Sequence, residues 1–499
     1  MENKKFYITT TLPYVNAEPH IGFALEIIQA DVIARHKRNL GSEVFFNTGT
    51  DEHGLKIYQM AEKENIDTQT YCDGFAEKNR LLKTALNLSY NNFVRTTDEN
   101  HIKSAQAFWL KCFEAGDIYK KIYKIKYCVG CELEKTDSEL ENGKCPIHPN
   151  REIEIIEEEN YFFKYSKYQK PLLDFYDSHP NFVVPSSKYN EIKEFTKRGL
   201  EDFSVSRLKD KMPWGVPVPN DDKHVMYVWF DALENYISVL DWPDSAKASS
   251  GKARNLFNDF WPGLQVAGKD NLRQQSSMWQ AMLLSAGLKP SKQIFIHGFI
   301  TSNGQKMSKS LGNVVNPVEL TKKYGTDPVR YYLLREIPSA EDGDFTIEKF
   351  EQRYNSDLAG GIGNLVARTI TMAAKLKVES LSSYPSVRAG KVTNLKLASE
   401  IERVKNACEK SLNEFKFNES LINIWELISW CDKYINETKP WEAKSPEEKN
   451  KAKEVISDLL SCINEIAGLL NPFLPQTSEK IKNILESSKS EILFPRLVK

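Results

Sequence analysis

The chain has 499 residues, of which 41% are hydrophobic and 27% charged, and its formal net charge is −1. This length predicts about two to four domains, because single hydrophobic cores stop growing well below it. The balanced charge excludes nucleic-acid binding through bulk charge, so such a partner would need local basic patches. The sequence has no apolar signal core and no membrane-spanning run, which predicts a cytoplasmic protein with reduced thiols.

The first predicted strand covers residues 5–12, and a helical pattern follows over 22–39. His20 and Gly22 lie where the strand gives way to the helix. A helix N-terminus has unpaired N–H groups and a positive dipole end, which favour a phosphate. Gly22 would let the backbone come close to a ligand, and His20 could donate a hydrogen bond to it. Taken alone, the segment favours an ordinary turn with a capping histidine, because short motif matches often arise by chance.

Alternating strand and helix patterns continue along the chain and predict a parallel sheet with helices on its faces. Their order changes from Ile118, where short aromatic strands, proline-rich turns and a cysteine cluster begin. We therefore predict one α/β domain interrupted by an inserted domain. The further strand-like runs are 43–48, 92–96, 224–230, 263–267 and 293–300, and a second helical pattern covers 101–115.

The inserted segment contains a candidate zinc site. Cys128, Cys131, Cys145 and His148 form a C-x-x-C pair, thirteen intervening residues, and a C-P-x-H pair. Two close pairs of soft ligands on tight turns suit a closed, tetrahedral structural site. Two chance pairs of thiols in a reduced protein are the alternative. The remaining cysteines are predicted to be small buried hydrophobic residues: Cys72, Cys112, Cys408, Cys431 and Cys462.

A second candidate ligand loop, TSNGQKMSKSLGN, occupies residues 301–313 and follows a strand-like run. Lys306 and Lys309, with the hydroxyls of Ser308 and Ser310, could neutralise charge that develops on departing pyrophosphate. A solvated basic surface loop is the commoner fate of such a pattern.

After about residue 350 the chain is predicted to be all helical. Apolar residues recur there at spacings of three and four, as in one buried stripe of a packed helix. They are Leu397, Ile401, Val404, Cys408, Leu412 and Phe415. Ser445-Pro446-Glu447-Glu448 has the pattern of a capping box.

At these residues the chain resembles the class I aminoacyl-tRNA synthetases, and more specifically the methionyl-tRNA synthetase family. The first signature is present as His20-Ile21-Gly22, and the second as Lys306-Met307-Ser308-Lys309-Ser310. The resemblance covers essentially the whole chain in the family's order. The supporting stretches are LPYVNAEPHIG (12–22), GTDEHG (49–54), YVWFDALENYI (227–237), GKDN (268–271) and PW (440–441).

The resemblance implies an α/β fold: a Rossmann-like parallel-sheet catalytic domain split by a zinc-containing connective insertion, then an α-helical bundle domain. The implied boundaries are 1–117 and 224–300 for the two halves of the catalytic domain, 118–223 for the insertion, 301–350 for the KMSKS loop and connecting domain, and 351–499 for the anticodon-binding domain.

The resemblance also implies a two-step reaction. L-methionine is activated by ATP to methionyl-adenylate with release of pyrophosphate, and the methionyl group is then transferred to the 3′-terminal ribose of tRNA(Met), initiator and elongator. His20, Lys306 and Lys309 are the implied catalytic residues. Mg²⁺ would accompany ATP, and one structural Zn²⁺ would occupy the cysteine cluster. The implied ATP-binding residues are Asn16, His20, Gly22, Phe23, Gly268, Asp270, Lys306, Ser308 and Lys309.

The implied methionine pocket is apolar, because the thioether offers only a weak hydrogen-bond acceptor. Asp51 would bind the substrate ammonium group. Hydrophobic core is the alternative for Trp229 and Tyr236. The implied set is Leu12, Tyr14, Asp51, Trp229, Ala232, Leu233, Tyr236 and Gln275. The chain departs from the family pattern at Phe23, where histidine is usual, and at Gln274-Gln275, where many relatives carry Phe-His.

Asn364, Arg368 and Trp441 match the family's anticodon-binding positions, and a helix surface or an interhelical plug is their alternative. The chain has no segment after its last helix for a further tRNA-binding domain, which predicts a monomer. Three other classes share some of these features: other class I synthetases, smaller nucleotidylyltransferases, and an inactive synthetase-like protein that only binds tRNA. The branched-chain synthetases would be longer, and a nucleotidylyltransferase would lack the helical domain.

Overall fold

The computed structural model describes residues 4–131, 133–135, 139–243, 255–307, 313–378, 392–487, 489 and 491–497. The chain divides into two compact units. The first comprises Met1–Pro19, Gly41–Lys83 and Ser89–Ile296. The second comprises His20–Leu40, Thr84–Leu88 and His297–Lys499. In these described ranges, no helix is both long and apolar enough to cross a membrane. The helices are Ile21–Asn39, Leu55–Glu64, Thr68–Ala85, Glu99–Glu114, Gln169–Ser178, Ser186–Lys197, Val228–Leu233, Asn235–Ser238, Leu256–Phe260, Trp279–Ser285, Pro317–Tyr324, Thr326–Arg335, Ile347–Arg353, Asn364–Leu376, Leu395–Asn413, Phe417–Thr438, Pro446–Leu470 and Pro475–Ser487.

The first unit is built around a central parallel sheet. Its strands lie in the order Asn92–Arg95, Glu43–Thr50, Lys5–Thr10, Leu264–Gly268, Gln293–His297 and Val183–Val184. Lys5–Thr10 pairs in parallel with both Glu43–Thr50 and Leu264–Gly268. Glu43–Thr50 also pairs in parallel with Asn92–Arg95, and Gln293–His297 pairs in parallel with Val183–Val184. The strands at the centre are almost wholly buried, as expected for a parallel sheet covered on both faces. The predicted α/β class is therefore confirmed.

The segment that interrupts this sheet forms an antiparallel sheet of its own. Its strands lie in the order Leu133–Glu134, Ile118–Cys128, Glu154–Phe163 and Phe203–Ser204. The two long strands pair from Ile118 opposite Phe163 to Tyr127 opposite Glu154. Val183–Val184 lies within the same segment of the chain but forms the edge of the central sheet. The smaller strands are Ser206–Leu208, His224–Met226, Ile300–Ser302, Gln305–Lys306 and Gly343–Phe345.

Three predicted strands are longer than the observed ones by two residues or more, and the first of them, 5–12, ends at Thr10. The run 224–230 is a strand only over His224–Met226, and a helix begins at Val228. An unbroken apolar run is typical of both a buried strand and a buried helix, so periodicity could not separate them. The run 293–300 breaks at Gly298, where a Cβ atom would lie 2.1 Å from the carbonyl carbon of Glu341. That close backbone approach ends the strand.

The second unit is mainly helical after residue 345. The predicted apolar stripe is buried along Leu395–Asn413 and extends to Phe415, just beyond its end. Ser445 and Glu448 form the predicted capping box at the start of Pro446–Leu470. A π-helical segment, Tyr354–Gly363, leads directly into Asn364–Leu376.

A fully buried guanidinium joins distant parts of the second unit. Arg330 donates to the carbonyl oxygens of Leu86, Pro472 and Phe473 at 3.0, 3.0 and 2.7 Å. It also forms a 2.9 Å ion pair with Asp31, which lies on the helix Ile21–Asn39. A buried charge is tolerated when it is paired and its donors are satisfied, as they are here.

Candidate functional site

Asp51 lies in the turn that follows the strand Glu43–Thr50, and only 8% of its surface is exposed. Its backbone N–H donates to the carbonyl of Pro13 at 3.0 Å, and its carbonyl accepts from the N–H of Val15 at 3.1 Å. Tyr14 and Asp51 therefore form a parallel bridge. This bridge brings the predicted residues Leu12 and Tyr14, both partly buried, beside the predicted ammonium-binding carboxylate.

The neighbouring Glu52 fixes the turn. Arg95 donates to both of its carboxylate oxygens, at 2.7 and 2.8 Å, and Thr97 donates to one of them at 2.6 Å. The indole N–H of Trp214 donates to the Glu52 carbonyl at 2.6 Å. A bidentate arginine–carboxylate pair is geometrically specific. The turn that carries Asp51 is thus held on two sides.

The other predicted pocket residues lie on two short consecutive helices, Val228–Leu233 and Asn235–Ser238. Ala232, Leu233 and Tyr236 are buried, and Trp229 is partly buried against the main core. Gln275 donates from Nε2 to the Tyr236 hydroxyl at 2.7 Å. Gln275 belongs to a π-helical segment, Gln274–Met278, and such segments are frequent at functional sites.

His20 caps the helix Ile21–Asn39 in the second unit. Its Nδ1 atom accepts a hydrogen bond from the backbone N–H of Gly22 at 3.1 Å, and its side chain is exposed. A Cβ atom at position 22 would lie 2.9 Å from the imidazole ring, so glycine is required for this capping geometry. Phe23, at the first departure from the family pattern, is partly buried on the same helix.

The remaining predicted ATP-binding residues are more dispersed. Gly268 is buried at the end of its strand, and Asp270 is exposed on the 3₁₀ turn Lys269–Asn271. Asn16 is partly buried, with its N–H donating to the Tyr14 carbonyl at 2.8 Å. The backbone of Lys306 pairs with Thr301 in a short antiparallel ladder. Ser308 and Lys309 lie outside the described residues.

The four predicted metal ligands come together. Their ligand atoms all lie within 4.8 Å of one another. Cys131 Sγ is 3.4 Å from Cys145 Sγ and 3.2 Å from His148 Nδ1. Zinc–sulfur bonds of about 2.3 Å place tetrahedral sulfurs roughly 3.8 Å apart, so the donor set fits zinc. Gly130 gives the imidazole its space, since a Cβ atom there would lie 2.5 Å from the His148 ring.

Two of the three predicted anticodon residues are in contact. The Arg368 guanidinium lies over the Trp441 ring at 4.9 Å and donates to Asn436 Oδ1 at 2.9 Å. Trp441 is 49% exposed, which excludes a role as a buried interhelical plug. Asn364 is exposed one turn before Arg368, on the same face of the helix Asn364–Leu376.

Comparison with known proteins decides the family. A family profile described as tRNA synthetases class I (M) matches residues 6–154 and 130–370, and one described as the anticodon-binding domain of tRNA ligase matches 394–496. The methionine--tRNA ligase of Thermotoga maritima is 43% identical over 96% of this chain and 74% of that relative. The one of Nostoc sp. is 41% identical over 96% of this chain and 89% of that relative.

A solved structure of Mycobacterium tuberculosis methionyl-tRNA synthetase in complex with methionyl-adenylate matches with a TM-score of 0.89 at 33% identity. The match covers 99% of this chain and 100% of that one. The chain belongs to the class I methionyl-tRNA synthetases. The predicted family and enzyme class, an aminoacyl-tRNA ligase, are confirmed.

In this methionyl-tRNA synthetase the sequence analysis missed a buried polar cluster beside the predicted pocket. The Asp231 carboxylate is hydrogen-bonded to two imidazoles. His53 Nδ1 lies 2.6 Å from one of its oxygens, and His101 Nε2 lies 2.8 Å from the other. His53 and Asp231 lie inside the quoted stretches GTDEHG and YVWFDALENYI, which was the available signal. His101 lies on Glu99–Glu114, and nothing in the sequence indicated that it meets the other two.

Proposed function

We propose that Asp51 binds the ammonium group of L-methionine and that the pocket helix Val228–Leu233 and Tyr236 receive its side chain. The observation that carries this proposal is the hydrogen-bonded turn at Asp51, fixed through Glu52, Arg95 and Trp214. A carboxylate held in a partly buried, preorganised turn binds a cation more strongly than a mobile one in water. Leu12 and Tyr14 complete the proposed set, because the backbone bridge holds them beside Asp51.

In the proposed first step, a carboxylate oxygen of methionine forms a bond to the α-phosphorus of ATP. The bond from that phosphorus to the bridging oxygen of the β-phosphate breaks, and pyrophosphate leaves. Such chemistry needs mainly positioning and charge stabilisation. We assign the phosphate contacts to His20, Lys306 and Lys309. Asn16, Gly22, Phe23, Gly268, Asp270 and Ser308 complete the proposed ATP-binding set, with Mg²⁺ bound to ATP.

In the second step, a hydroxyl of the 3′-terminal ribose of tRNA(Met) attacks the carbonyl carbon of methionyl-adenylate, and AMP leaves. Arg368 and Trp441 present a stacked, half-exposed pair, which is the type of surface that holds unpaired bases. Asn364, exposed one turn away, supplies an amide for base edges. We therefore propose these three residues as the anticodon contacts for initiator and elongator tRNA(Met).

Gln275 is proposed to replace the family's histidine at the back of the methionine pocket. Its amide N–H donates to the Tyr236 hydroxyl, so the glutamine keeps a donor where an imidazole would place one. This bond fixes the phenol ring that we assign to the pocket wall. The substitution is therefore expected to preserve methionine activation.

Cys128, Cys131, Cys145 and His148 are proposed to hold one structural Zn²⁺, which would supply a crosslink within the insertion. Metal analysis of protein purified without added zinc tests this assignment. About one equivalent of zinc is expected, and Cys145→Ala should lose it while Cys112→Ala, a buried cysteine outside the cluster, keeps it. A zinc content near zero in the unaltered protein would reject the site.

The predicted boundaries also stand as proposals: residues 1–117 and 224–300 as the catalytic domain, 118–223 as the insertion, 301–350 as the connecting domain and 351–499 as the anticodon-binding domain. A cytoplasmic location agrees with all eight cysteines being free of disulfides. A monomeric state stays a prediction, which sedimentation of the purified protein tests.

The first experiment is ATP–pyrophosphate exchange with methionine, run beside leucine, isoleucine, valine and cysteine. Exchange with methionine alone is expected. His20→Ala and Lys306→Ala should each lower the exchange rate sharply while the far-UV circular dichroism spectrum is unchanged. An unchanged rate would remove that residue from the mechanism, and no exchange with any amino acid would favour a chain that only binds tRNA.

A further inference from the structure

The cluster around Asp231 is the most buried group of ionisable side chains among the described residues near the pocket. Exposed fractions are 0% for Asp231, 5% for His53 and 1% for His101. His53 Nδ1 lies 2.6 Å from one carboxylate oxygen, and His101 Nε2 lies 2.8 Å from the other. Both oxygens of the carboxylate are therefore held by imidazoles.

The surroundings shift the pKa values of Asp231 and its neighbour Glu234 in opposite directions. Burial alone would raise the pKa of Asp231, but the two imidazoles outweigh it and lower that pKa to about 2. The pKa of the neighbouring Glu234 is shifted the other way, since burial and the charge of Asp231 raise it well above the ordinary value. Glu234 hydrogen-bonds Ser104, whose hydroxyl lies 2.8 Å from the Trp242 carbonyl.

The His53–Asp231 bond joins the two parts of the proposed methionine site. His53 lies two residues after Asp51 in the same turn. Asp231 lies on the helix Val228–Leu233, between Trp229 and the buried pair Ala232 and Leu233. The imidazole of His53 also contacts the Trp214 ring, with centroids 5.7 Å apart. One short hydrogen bond thus connects the proposed ammonium-binding turn with the helix that carries apolar pocket residues.

We propose that Asp231, acting through His53, is a positioning residue that sets methionine affinity by fixing Asp51 relative to the pocket helix. The proposal deepens the assignment of Asp51 above and rests on it. An ion pair in a partly buried site loses strength steeply with distance, so a small displacement of the turn weakens ammonium binding. His101 holds the second oxygen and keeps the carboxylate oriented.

The test measures exchange kinetics for Asp231→Asn. The Michaelis constant for methionine is expected to rise about tenfold or more, and the constant for ATP to change less than about twofold. Asp117→Asn is the matched control, because Asp117 is an equally buried carboxylate in the same unit. It is held by Lys167, Tyr168 and Ser285 at 2.6, 2.5 and 2.9 Å, away from the pocket. This control should lower stability without moving either constant.

Two further measurements separate positioning from a general loss of structure. His53→Ala should raise the Michaelis constant for methionine. His53→Gln, which keeps an amide donor, should bring that constant most of the way back to the wild-type value. These two variants test the proposal if Asp231→Asn fails to fold. In competition with methionine, methioninol, which keeps the ammonium group, should bind Asp231→Asn about tenfold more weakly than it binds the wild-type protein. The affinity for 4-(methylthio)butan-1-ol, which lacks that group, should change less than about twofold.

The positioning role would be overturned if Asp231→Asn lost equal affinity for the two alcohols. It would also be overturned if the Michaelis constants for methionine and for ATP changed in parallel. Wild-type protein that exchanges with methionine while Asp231→Asn and His53→Ala keep their constants would overturn this inference alone. Wild-type protein that exchanges with no amino acid would overturn the proposed function and this inference together.

Discussion

The proposed methionine pocket and the proposed anticodon pair use aromatic side chains in opposite ways. Tyr236 is 2% exposed, and its hydroxyl accepts a hydrogen bond from the buried Gln275. Trp441 is 49% exposed, and its described ring contact is the Arg368 guanidinium above it. The first arrangement is complete before a ligand arrives, whereas the second presents a face on which a planar group can stack.

This difference agrees with the sizes of the two proposed ligands. A small amino acid is selected by shape and by a few fixed charges, so its site benefits from rigidity. Bases of a flexible loop are held by stacking, which tolerates some adjustment. Substitutions in the pocket should therefore change methionine activation alone, and substitutions at the pair should change tRNA charging alone.

The largest effect is expected at Asp51, and it would break the comparison most directly. Asp51→Asn removes the charge but keeps the size of the side chain. We expect kcat/KM for methionine in pyrophosphate exchange to fall about 10³-fold, because truncating one partner of a buried charge pair costs about 4 kcal/mol. Glu18→Gln, an exposed partner of Lys78 in the same unit, is the control and should be neutral. An equal loss of tRNA binding in Asp51→Asn would contradict the expectation that the two sites act independently.

A smaller effect is expected from Trp441→Ala. Losing one stacking platform should lower kcat/KM for tRNA in aminoacylation about 30-fold, since stacking contributes roughly 2 kcal/mol per base. Methionine-dependent exchange should be unchanged. Arg403→Ala serves as the control, because Arg403 pairs with Glu400 and Glu426 on an exposed surface of the helical region. Reduced exchange in Trp441→Ala would show that the two regions are not separable.

The smallest expected effect is on the pH dependence of the free energy of unfolding, and it tests whether the proposed pocket is held rigid by a buried charge. The pKa of Asp231 is lowered to about 2 in the folded state, so its stabilisation is present above its ordinary value near 3.8 and is lost as pH falls below it. Between pH 6 and pH 2.5 the free energy of unfolding should fall by about 2 kcal/mol more in wild type than in Asp231→Asn. Urea unfolding at both pH values measures this. Equal pH dependence would mean that the cluster holds no buried charge.

The strands and helices that carry a clear period were predictable from sequence. The helix predicted at 22–39 is found at Ile21–Asn39, and the strand at 43–48 is found at Glu43–Thr50. Periodicity failed in the run 224–230, because apolar residues fill almost every position and give neither a helical nor a strand period. It also gave no sign of the π-helical segment Gln274–Met278, whose wider turn depends on tertiary packing.

The candidate site was predictable where a short motif carries its own chemistry. The spacing of Cys128, Cys131, Cys145 and His148 indicated one cluster, and the structure assembles it. The partners of Asp231 were not predictable, because His53 and His101 are brought to it from 178 and 130 residues away in sequence. Such contacts depend on the topology of the sheet rather than on local sequence.

Arg330 limits how the synthetase can be divided or recombined. It precedes the proposed anticodon-binding domain, yet two of its carbonyl acceptors, Pro472 and Phe473, lie deep within that domain. A chain cut at residue 350 would leave its buried guanidinium without those acceptors, at a cost of about 1–3 kcal/mol for each unsatisfied group. In a chimera, the segment around residue 330 and the loop at 472–473 should therefore come from the same parent.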